Sequence, residues 1–520
     1  MSAAYAMRRI EAPQFADADG QYAKVRGLIE SEELASLSHD LVERRLEEEG
    51  RELMRLLLQA YLCLRGQEEV RDEAVVGADG VERTHIRVRG RNVSSIFGSV
   101  RLDRTGHGYP GAGSVFPVDA ELNLPVESHS LEVRRRAADV AAFASFEETT
   151  RILKESTGVS AGKRQVEELV ARATRDFDAF YEERSPTRSA DDTSETLVLS
   201  IDRKGVVVRH QDLREKARKA AKKKPRLDKR RTVAERRNRK RLSVVAAVYT
   251  VAPWVRTPAQ LMAGLRGEQH AEHGLPPRPK PEGKRIWASV AHEPELVVEQ
   301  AFREALARDP ERKKRWVVLV DGDRKQLCWI KRAAERHRVN VTIILDVIHV
   351  IEYLWMAAHA FHGDGNKRAE AYVAERLKKV LEGKPGWVAG GMRRAAENRG
   401  LPASKRKRVE RCANYLRNYS EFLRYDRALA AGLPIGTGVV EGACRYLVGD
   451  RLDITGARWS LKGAEAVLRL RALRGSGDFD EYWDFHRAQE YRRNHGSHYA
   501  AGAHPRLRKP SSHRDLRLVA

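Results

Sequence analysis

The chain has 520 residues, more than a single hydrophobic core normally serves, so two or three domains are expected. Hydrophobic residues make up 42% of it and charged residues 32%, and the formal net charge of +23 favours a polyanionic partner, with nucleic acid as the first candidate. The sequence has neither an apolar run of about 18 residues nor a secretory signal pattern, which disfavours a membrane partner.

The four cysteines, Cys63, Cys328, Cys412 and Cys444, are far apart and form no CxxC pair. This spacing argues against a disulfide framework and against a zinc knuckle. A reducing cytoplasm is therefore the expected compartment.

Residues 1–185 are predicted to be mainly helical with a small hairpin. Leucines recur at helical spacing in LVERRLEEEGRELMRLLLQAYLCLRG, which predicts an amphipathic helix that packs on a neighbouring element or on another protomer. THIRVRGRNVSSIFGSVRLDRTGHGYPG alternates apolar and polar residues, which predicts a hairpin or small meander with arginines on one face. SVFPVDAELNLPVESHS indicates an irregular loop.

A helix-turn-helix is predicted near residues 145–172. Two amphipathic helices in SFEETTRILKESTGVSAGKRQVEELV flank a turn at residues 157–160, and Ser160 is a candidate cap for the second helix. That helix would carry Lys163 and Arg164 toward a DNA groove. Helical hairpins that bind no DNA share this pattern, so both interpretations remain open.

After the polar segment SPTRSADDTSET, five strands are predicted. LVLSID and GVVVRH look like a hairpin, and SVVAAVYTV, WVVLV and VNVTIILD follow, with helices at residues 294–308 and 324–338. This order predicts an α/β domain at residues 195–475, with a mixed sheet covered by helices. A ribonuclease H-like arrangement is one such architecture. Residues 350–432 form a long helical insertion, and residues 476–520 form a basic tail, poorly ordered from about residue 495.

Three acids stand out by their positions. Asp202 ends the first strand, Asp321 ends WVVLV, and Glu441 opens a helix just after two glycines. An acid at the end of a buried strand emerges at the sheet edge, where open sheets place their sites. Individually, an Asp at a strand end is more often a helix cap or a turn residue, and Glu441 at a helix start is also explained by a favourable interaction with the helix dipole.

Together, three carboxylates suit phosphodiester cleavage. In-line attack needs an activated water or hydroxyl and a stabilised leaving oxygen, and two divalent ions about 4 Å apart supply both. Mg²⁺ prefers carboxylate oxygens, so Asp202, Asp321 and Glu441 are the candidate catalytic residues and the ligands of two Mg²⁺ ions, with Mn²⁺ as an alternative.

Neighbouring residues offer competing roles. Asp323 competes with Asp321, but its position favours capping the next helix. Asp346 and His349 are candidates for orienting a ligand or contacting the DNA backbone. Direct metal binding and simple helix capping by Asp346 are the alternatives.

A basic run lies between two predicted core strands. Residues 214–241 contain 16 Lys or Arg against three acids, which favours phosphate contact over a merely solvated face. Nearer the end of the catalytic domain, Arg451 and Arg458 are further candidates, and Trp459 beside them is either a DNA contact or a core residue. The candidates in the run are Lys222, Lys223, Lys224, Arg230, Arg231, Arg236 and Arg237.

Five blocks follow one another in the second half: LVLSIDRKGVVVR, RKRLSVVAAVYTVAPWVRTP, WVVLVDGDRKQL, IILDVIHVIEYLWMAAHAF and GLPIGTGVVEGACRYLVGDRLDITGARWSLKGAEAVLRLRAL. SVFPVDAELNLP and ASFEETTRILKESTGVSAGKRQVEELV precede them. In this order they closely resemble the DDE transposases of ISKra-type bacterial insertion sequences, over roughly residues 80–475. One position departs from the pattern, because Arg203 stands where glycine is expected after the first acid.

The resemblance implies a ribonuclease H-like catalytic domain with a helical insertion before the last acid, and it places the triad at Asp202, Asp321 and Glu441. The implied activity is transposition: binding of the element's ends, magnesium-dependent cleavage of DNA, and transfer of the 3′ ends to target DNA. The expected partners are transposon-end and target DNA, in a homodimer or higher synaptic complex, in the nucleoid-associated cytoplasm of a bacterium. The alternatives are a nuclease of the same fold that does not integrate, and a catalytically inactive DNA-binding remnant.

Overall fold

The structure is a computed structural model that describes residues 13–67, 74–184, 194–222, 240–268, 274, 276–502 and 504. These residues fall into two compact units. The first contains the described residues of Met1–Phe180 and Asp480–Ala520, and the second those of Tyr181–Phe479. Within the described ranges, no helix is both long enough and apolar enough to cross a membrane.

Helices open the first unit, as the leucine spacing predicts. They are α1 (Ala16–Ile29), α2 (Glu32–Ala35) and α3 (His39–Gln67). Leu62 of α3 is buried against Val93, Val100 and Leu102 of the hairpin that follows. The amphipathic face of α3 therefore packs on a neighbouring element of its own unit.

Two small antiparallel sheets follow α3. The predicted hairpin is confirmed as β3 and β4, whose register pairs Val93 with Val100, and β5 adds a third strand beside β4. A separate two-stranded sheet precedes them. The strands are β1 (Val75–Val76), β2 (Glu82–Arg83), β3 (His85–Ser95), β4 (Gly98–Tyr109) and β5 (Ala112–Val115).

The segment after β5 differs from the prediction. It contains a helix, α4, where the sequence pattern indicates an irregular loop, and Pro117 begins this helix because its fixed φ suits the first helical turn. The helices of this region are α4 (Pro117–Glu121), α5 (Leu131–Ala141), α6 (Phe146–Thr157), α7 (Lys163–Ala173), α8 (Phe177–Arg184) and the carboxy-terminal helix Phe479–Asn494.

The predicted pair of helices around a turn is present as α6 and α7. Gly158 ends α6 with φ of 71°, a left-handed conformation that glycine adopts without strain. The prediction that Ser160 caps α7 is wrong. Gly162 occupies the cap position, and its amide donates to the Gln165 side chain at 2.8 Å.

A five-stranded mixed sheet forms the centre of the second unit, in the order β10-β9-β6-β7-β8. β6, β9 and β10 are parallel to one another, whereas β7 is antiparallel to both β6 and β8. The elements are β6 (Thr196–Val207), α9 (Glu215–Lys222), β7 (Lys240–Val251), α10 (Pro258–Leu265), β8 (Glu282–Ser289), α11 (Pro294–Arg308), β9 (Arg315–Val320), α12 (Arg324–His337) and β10 (Val341–Leu345).

The predicted strands differ from the structure in two respects. LVLSID and GVVVRH do not form a hairpin, because residues 202–205 stay extended within β6 and pair with β7 without a break. β8 is missed in the sequence, since only its last five residues are buried and a Pro- and Gly-rich stretch precedes them. The remaining strands and the helices α11 and α12 agree with the prediction within a few residues.

The predicted insertion after β10 is helical throughout most of its length, and further helices follow the glycine-rich segment GLPIGTG. A π-helical turn, Cys444–Gly449, continues α18. The helices are α13 (Val347–His362), α14 (Lys367–Leu381), α15 (Pro385–Asn398), α16 (Ala403–Asn418), α17 (Tyr425–Ala430), α18 (Gly438–Ala443), α19 (Asp450–Leu452) and α20 (Leu461–Ser476).

Helices cover both faces of the central sheet. On one face, the indole nitrogen of Trp287 in β8 donates a hydrogen bond to Gln300 of α11 at 3.3 Å. α12 packs beside α11 on the same face, where the rings of Phe302 in α11 and His337 in α12 stack with their centres 6.1 Å apart. Successive strand residues point to opposite faces. Ile286 therefore faces the other way, where it lies against Gly475 of α20.

Gly432, at the start of GLPIGTG, packs closely against the backbone of Trp254. Its φ is +72°, and an added Cβ would lie 2.7 Å from the backbone nitrogen of Trp254. Gly432→Ala is expected to lower the free energy of unfolding by about 1–2 kcal/mol through its conformation and by about 1–3 kcal/mol more through the clash.

Gly456→Ala is the matched control. Gly456 has φ of +82° with nothing within 4 Å of an added Cβ, so only the conformational loss applies there. Urea unfolding followed by circular dichroism measures both variants. Equal losses would show that Gly432 does not pack closely against Trp254.

Candidate active site

The parallel strands of the central sheet bring three acids to one edge. The pairing of Ser200 with Leu319 and of Leu345 with Val320 puts the strands in register there. Asp321 and Asp346 follow β9 and β10 directly, and Asp202 lies two residues beyond Ser200 in β6. The amide of Asp346 donates to the carbonyl of Val320 at 2.9 Å, which extends the pairing to this edge.

Asp202 has two hydrogen-bond donors. The backbone amide of Arg203 donates to its Oδ1 at 2.6 Å, and the thiol of Cys444 donates to its Oδ2 at 3.2 Å. Burial, with the charge of Asp202, raises the pKa of the Cys444 thiol well above its usual range, so the thiol keeps its proton and remains a donor. Sequence reasoning missed Cys444, although it lies three residues after Glu441.

Asp321 lies in an unfavourable environment for a carboxylate. Burial raises its pKa, and the nearby charge of Asp202 raises it further, while the backbone amide of Asp323 at 3.3 Å and the charges of His349 and Arg203 offset only part of the effect. A raised carboxyl pKa in this setting means that the anion lacks sufficient positive charge around it. A bound cation would supply that charge.

Glu441 approaches the same edge from α18. Its side chain is exposed, and its Oε1 accepts a hydrogen bond from the Thr437 hydroxyl at 3.2 Å. The charge of Glu441 also contributes to the raised pKa of Cys444, whose thiol contacts Asp202. Asp202 therefore lies near Asp321 and contacts Cys444, on the helix turn that follows Glu441.

The three carboxylates do not form a compact cluster around a single point. Among the described residues, Asp202, Asp321 and Glu441 do not each place a ligand atom within 4.8 Å of the other two. Two ions about 4 Å apart, each about 2 Å from its oxygen ligands, hold their outer ligands farther apart than a single ion does.

Asp346 is fully buried, and its oxygens are already occupied. The amides of Ile348 and Thr437 donate to Oδ1 at 3.3 and 3.2 Å, and Nδ1 of His349 lies 3.2 Å from Oδ2. Burial opposes ionisation of Asp346, but these hydrogen bonds outweigh it and lower its pKa. Asp346 thus caps α13 and holds Thr437, which in turn contacts Glu441, so a positioning role fits better than metal ligation.

Asp323 and Arg203 form a pair beside the site. Asp323 caps α12 by accepting from the amide of Gln326 at 2.9 Å, as its sequence position indicates. Its other oxygen lies 2.5 Å from the guanidinium of Arg203. The arginine that replaces the expected glycine is therefore held by Asp323, which serves here as a helix cap and an ion-pair partner.

The DNA-contact candidates differ in their exposure. Lys163, Arg164 and Arg458 are exposed, and Arg164 lies 3.3 Å from Glu168 on the same helix. The structure does not support the predicted DNA contact of Arg451. Its side chain is buried, and its guanidinium lies 4.6 Å from the ring centre of Trp459, which is itself a core residue. The side chains of the basic run that lie outside the described residues are Lys222, Lys223, Lys224, Arg230, Arg231, Arg236 and Arg237.

A second cluster of acids and histidine lies in the first unit. Asp176, His486 and Glu490 each place a ligand atom within 4.8 Å of the other two, and all three are buried. The i, i+4 spacing of His486 and Glu490 on one helix was the available sequence signal.

This second cluster does not suit a metal ion. Nδ1 of His486 lies 2.7 Å from Asp176, and its Nε2 lies 3.0 Å from the buried guanidinium of Arg134. Arg134 also lies 2.8 Å from Glu490, which Arg175 contacts as well. Since arginines already compensate both carboxylates and both ring nitrogens are occupied, the cluster is an ionic network within the fold.

The Asp346–His349 pair predicts a pH dependence of stability. The hydrogen bond to Asp346 raises the pKa of His349 to about 9, despite its partial burial. Because this pKa lies above the unfolded value of about 6.5, the stabilisation is complete below pH 6.5 and is lost as the pH rises through about 9. The excess stability of the wild type over His349→Gln should therefore shrink between pH 6.5 and 9.5 in urea unfolding.

A histidine NMR titration tests the cause directly. His349 should titrate near 9 in the wild type, and Asp346→Asn should bring its pKa back toward 6.5. Titration of His349 near 6.5 in the wild type would contradict the pairing.

Comparison with known proteins adds no identification. The chain matches no protein-family model and no curated protein sequence.

Proposed function

We propose that the chain is a DDE-type DNA transposase, with Asp202, Asp321 and Glu441 as its catalytic carboxylates. The observation that carries the proposal is the proximity of Asp202 and Asp321 at the carboxyl edge of the parallel strands, where the pKa of Asp321 is raised by burial and by Asp202. Glu441 lies near Cys444, whose thiol contacts Asp202. The mixed sheet with helices on both faces supports the ribonuclease H-like catalytic domain that the sequence resemblance implies.

The donor set fits magnesium. All three side chains offer carboxylate oxygens, which Mg²⁺ prefers, and the exposure of Glu441 leaves room for the waters that Mg²⁺ retains. Ions held here would activate the attacking water or 3′ hydroxyl and stabilise the leaving oxygen. Because cleavage and strand transfer are both phosphoryl transfers, one site serves both reactions.

The chain's own residues hold this site in place. Asp202 is fixed by the amide of Arg203 and the thiol of Cys444, and Glu441 is oriented by Thr437, which Asp346 holds. Fixed ligands reduce the reorganisation needed at the moment of reaction.

DNA recognition completes the proposal. The helix pair α6 and α7 in the first unit exposes Lys163 and Arg164, as a recognition helix requires. The expected partners are the transposon ends and target DNA, and a homodimer or higher synaptic complex joins two ends. The net charge of +23 supports a DNA partner of this kind.

The catalytic assignment predicts that Asp202→Asn, Asp321→Asn and Glu441→Gln each lower DNA cleavage by at least about 100-fold, since loss of a metal ligand removes several kcal/mol of transition-state stabilisation. DNA affinity should change little. The substrate is the DNA that flanks the gene on both sides, and cleavage is measured with Mg²⁺, with Mn²⁺ and with EDTA.

Asp323→Asn is the matched control, because it removes a nearby carboxylate that caps α12 and pairs with Arg203. It should retain most of the cleavage activity. Cleavage without transfer of pre-cut 3′ ends would identify a nuclease. DNA binding that survives all three substitutions, with no cleavage by the wild type, would identify an inactive remnant.

The positioning role of Asp346 makes a separate prediction. Asp346→Asn should lower cleavage by about 10- to 100-fold, the usual range for a residue that orients a metal ligand, and should leave some metal-dependent activity. A loss as complete as that of Asp321→Asn would make Asp346 a metal ligand instead.

A further inference from the structure

A cleft of about 700 Å³ in the second unit is lined in part by Glu441. The glycine-rich segment, residues 432–441, contributes to one wall, and residues from the end of β7 to Arg256 contribute to another. Arg278 and Lys280 line it as well. The cleft therefore connects the candidate metal site with a group of cationic side chains.

Three cations line this cleft without a carboxylate partner among the described residues: Arg256, Arg278 and Lys280. Arg256 donates to two backbone carbonyls, those of Trp254 at 3.1 Å and Leu433 at 2.8 Å, and its guanidinium lies 4.6 Å from the ring centre of Trp254. Burial, together with the charge of Arg278, lowers the pKa of Arg256 to about 10, so it remains charged at neutral pH.

The charge in the cleft is unbalanced. Among the described residues that line it, Glu441 is the one acid, and in the proposed function Glu441 is committed to a metal ion. A partly buried cation with no anion beside it is costly unless a ligand supplies the negative charge. The cleft also has apolar lining from residues such as Leu261 and Val347, which suits sugars and bases.

We propose that this cleft binds the phosphodiester backbone of the DNA strand next to the reacting phosphate. Arg278 and Lys280, which are exposed, contact the phosphates directly. Arg256, held by the two carbonyls, supplies a fixed positive charge along the same path. The inference rests on the proposed function, because the strand follows this cleft only if its reacting phosphate is held at the metal site beside Glu441.

The first test is binding of a short dye-labelled single-stranded oligo(dT), measured by fluorescence anisotropy with the full-length protein and Ca²⁺ in place of Mg²⁺. Arg278→Gln and Lys280→Gln should each weaken binding by up to about fivefold, the size of one exposed charge contact. Each should also reduce the slope of log affinity against log salt by about 0.7, the value for one phosphate contact on a single strand.

Arg332→Gln is the matched control. Arg332 is an exposed cation on α12 and does not line the cleft. Its replacement changes the net charge by the same amount as Arg278→Gln or Lys280→Gln and leaves the cleft unaltered. Affinity and salt slope should remain those of the wild type. Equal effects of Arg332→Gln, Arg278→Gln and Lys280→Gln would overturn the proposal, because the loss would then reflect net charge alone.

Neutral phosphates locate the contact. A methylphosphonate within a few nucleotides of the reacting position in the element-end DNA should weaken wild-type binding, and this weakening should disappear in Arg278→Gln, since contacts that share one partner are not additive. Retained weakening in both Arg278→Gln and Lys280→Gln would place the strand elsewhere.

These outcomes separate the inference from the function that it rests on. A wild type that cleaves DNA but binds it identically with and without Arg278 and Lys280 overturns the cleft assignment and leaves the transposase proposal standing. A wild type that neither binds nor cleaves DNA overturns both.

Discussion

The parallel register of β6, β9 and β10 is the constraint on which the candidate site depends. These strands are buried on both faces by helices, so their interiors are apolar and a carboxylate is tolerated only where a strand reaches the sheet edge. Pairing of Ser200 with Leu319 and of Leu345 with Val320 then determines that the acids beyond these residues become neighbours. A slip of one residue would send the adjoining side chains to the opposite faces of the sheet.

The buried acids of this molecule differ in whether their negative charge is compensated by neighbouring groups. Asp346, and the Asp176–Glu490 network of the first unit, are surrounded by donors or arginines, so their charges are balanced within the fold. Asp321 is different, because burial and Asp202 act on it together and its nearby donors do not compensate. The imbalance, more than the number of acids, distinguishes a place suited to a cation from a structural ionic cluster. Arg256 in the cleft shows the same imbalance with the opposite sign, since it is partly buried and has no carboxylate partner among the described residues.

Three predictions from the sequence differ from the structure for physical reasons. The polar residues 202–205 predict a turn between two strands, but β7 is long enough to pair with all of β6, so these residues continue the strand. β8 was missed because its outer half is exposed and polar. Arg451 looked like a DNA contact because arginines usually lie at the surface, whereas stacking with Trp459 buries this one.

Neighbouring residues are sufficient to predict the strong local features: the amphipathic helices, the apolar strands WVVLV and VNVTIILD, and the acids that follow them, because helical periodicity and strand apolarity are local patterns. The cap at Asp323 is also predicted locally. The folded structure was needed to show which acids lie close together, that Cys444 contacts Asp202, and that both oxygens of Asp346 accept hydrogen bonds. These contacts join residues far apart in the chain, so they depend on strand order and register, which no local pattern records. The cleft beside Glu441 has the same origin, since its walls come from β7, the loop before β8 and the segment that precedes α18.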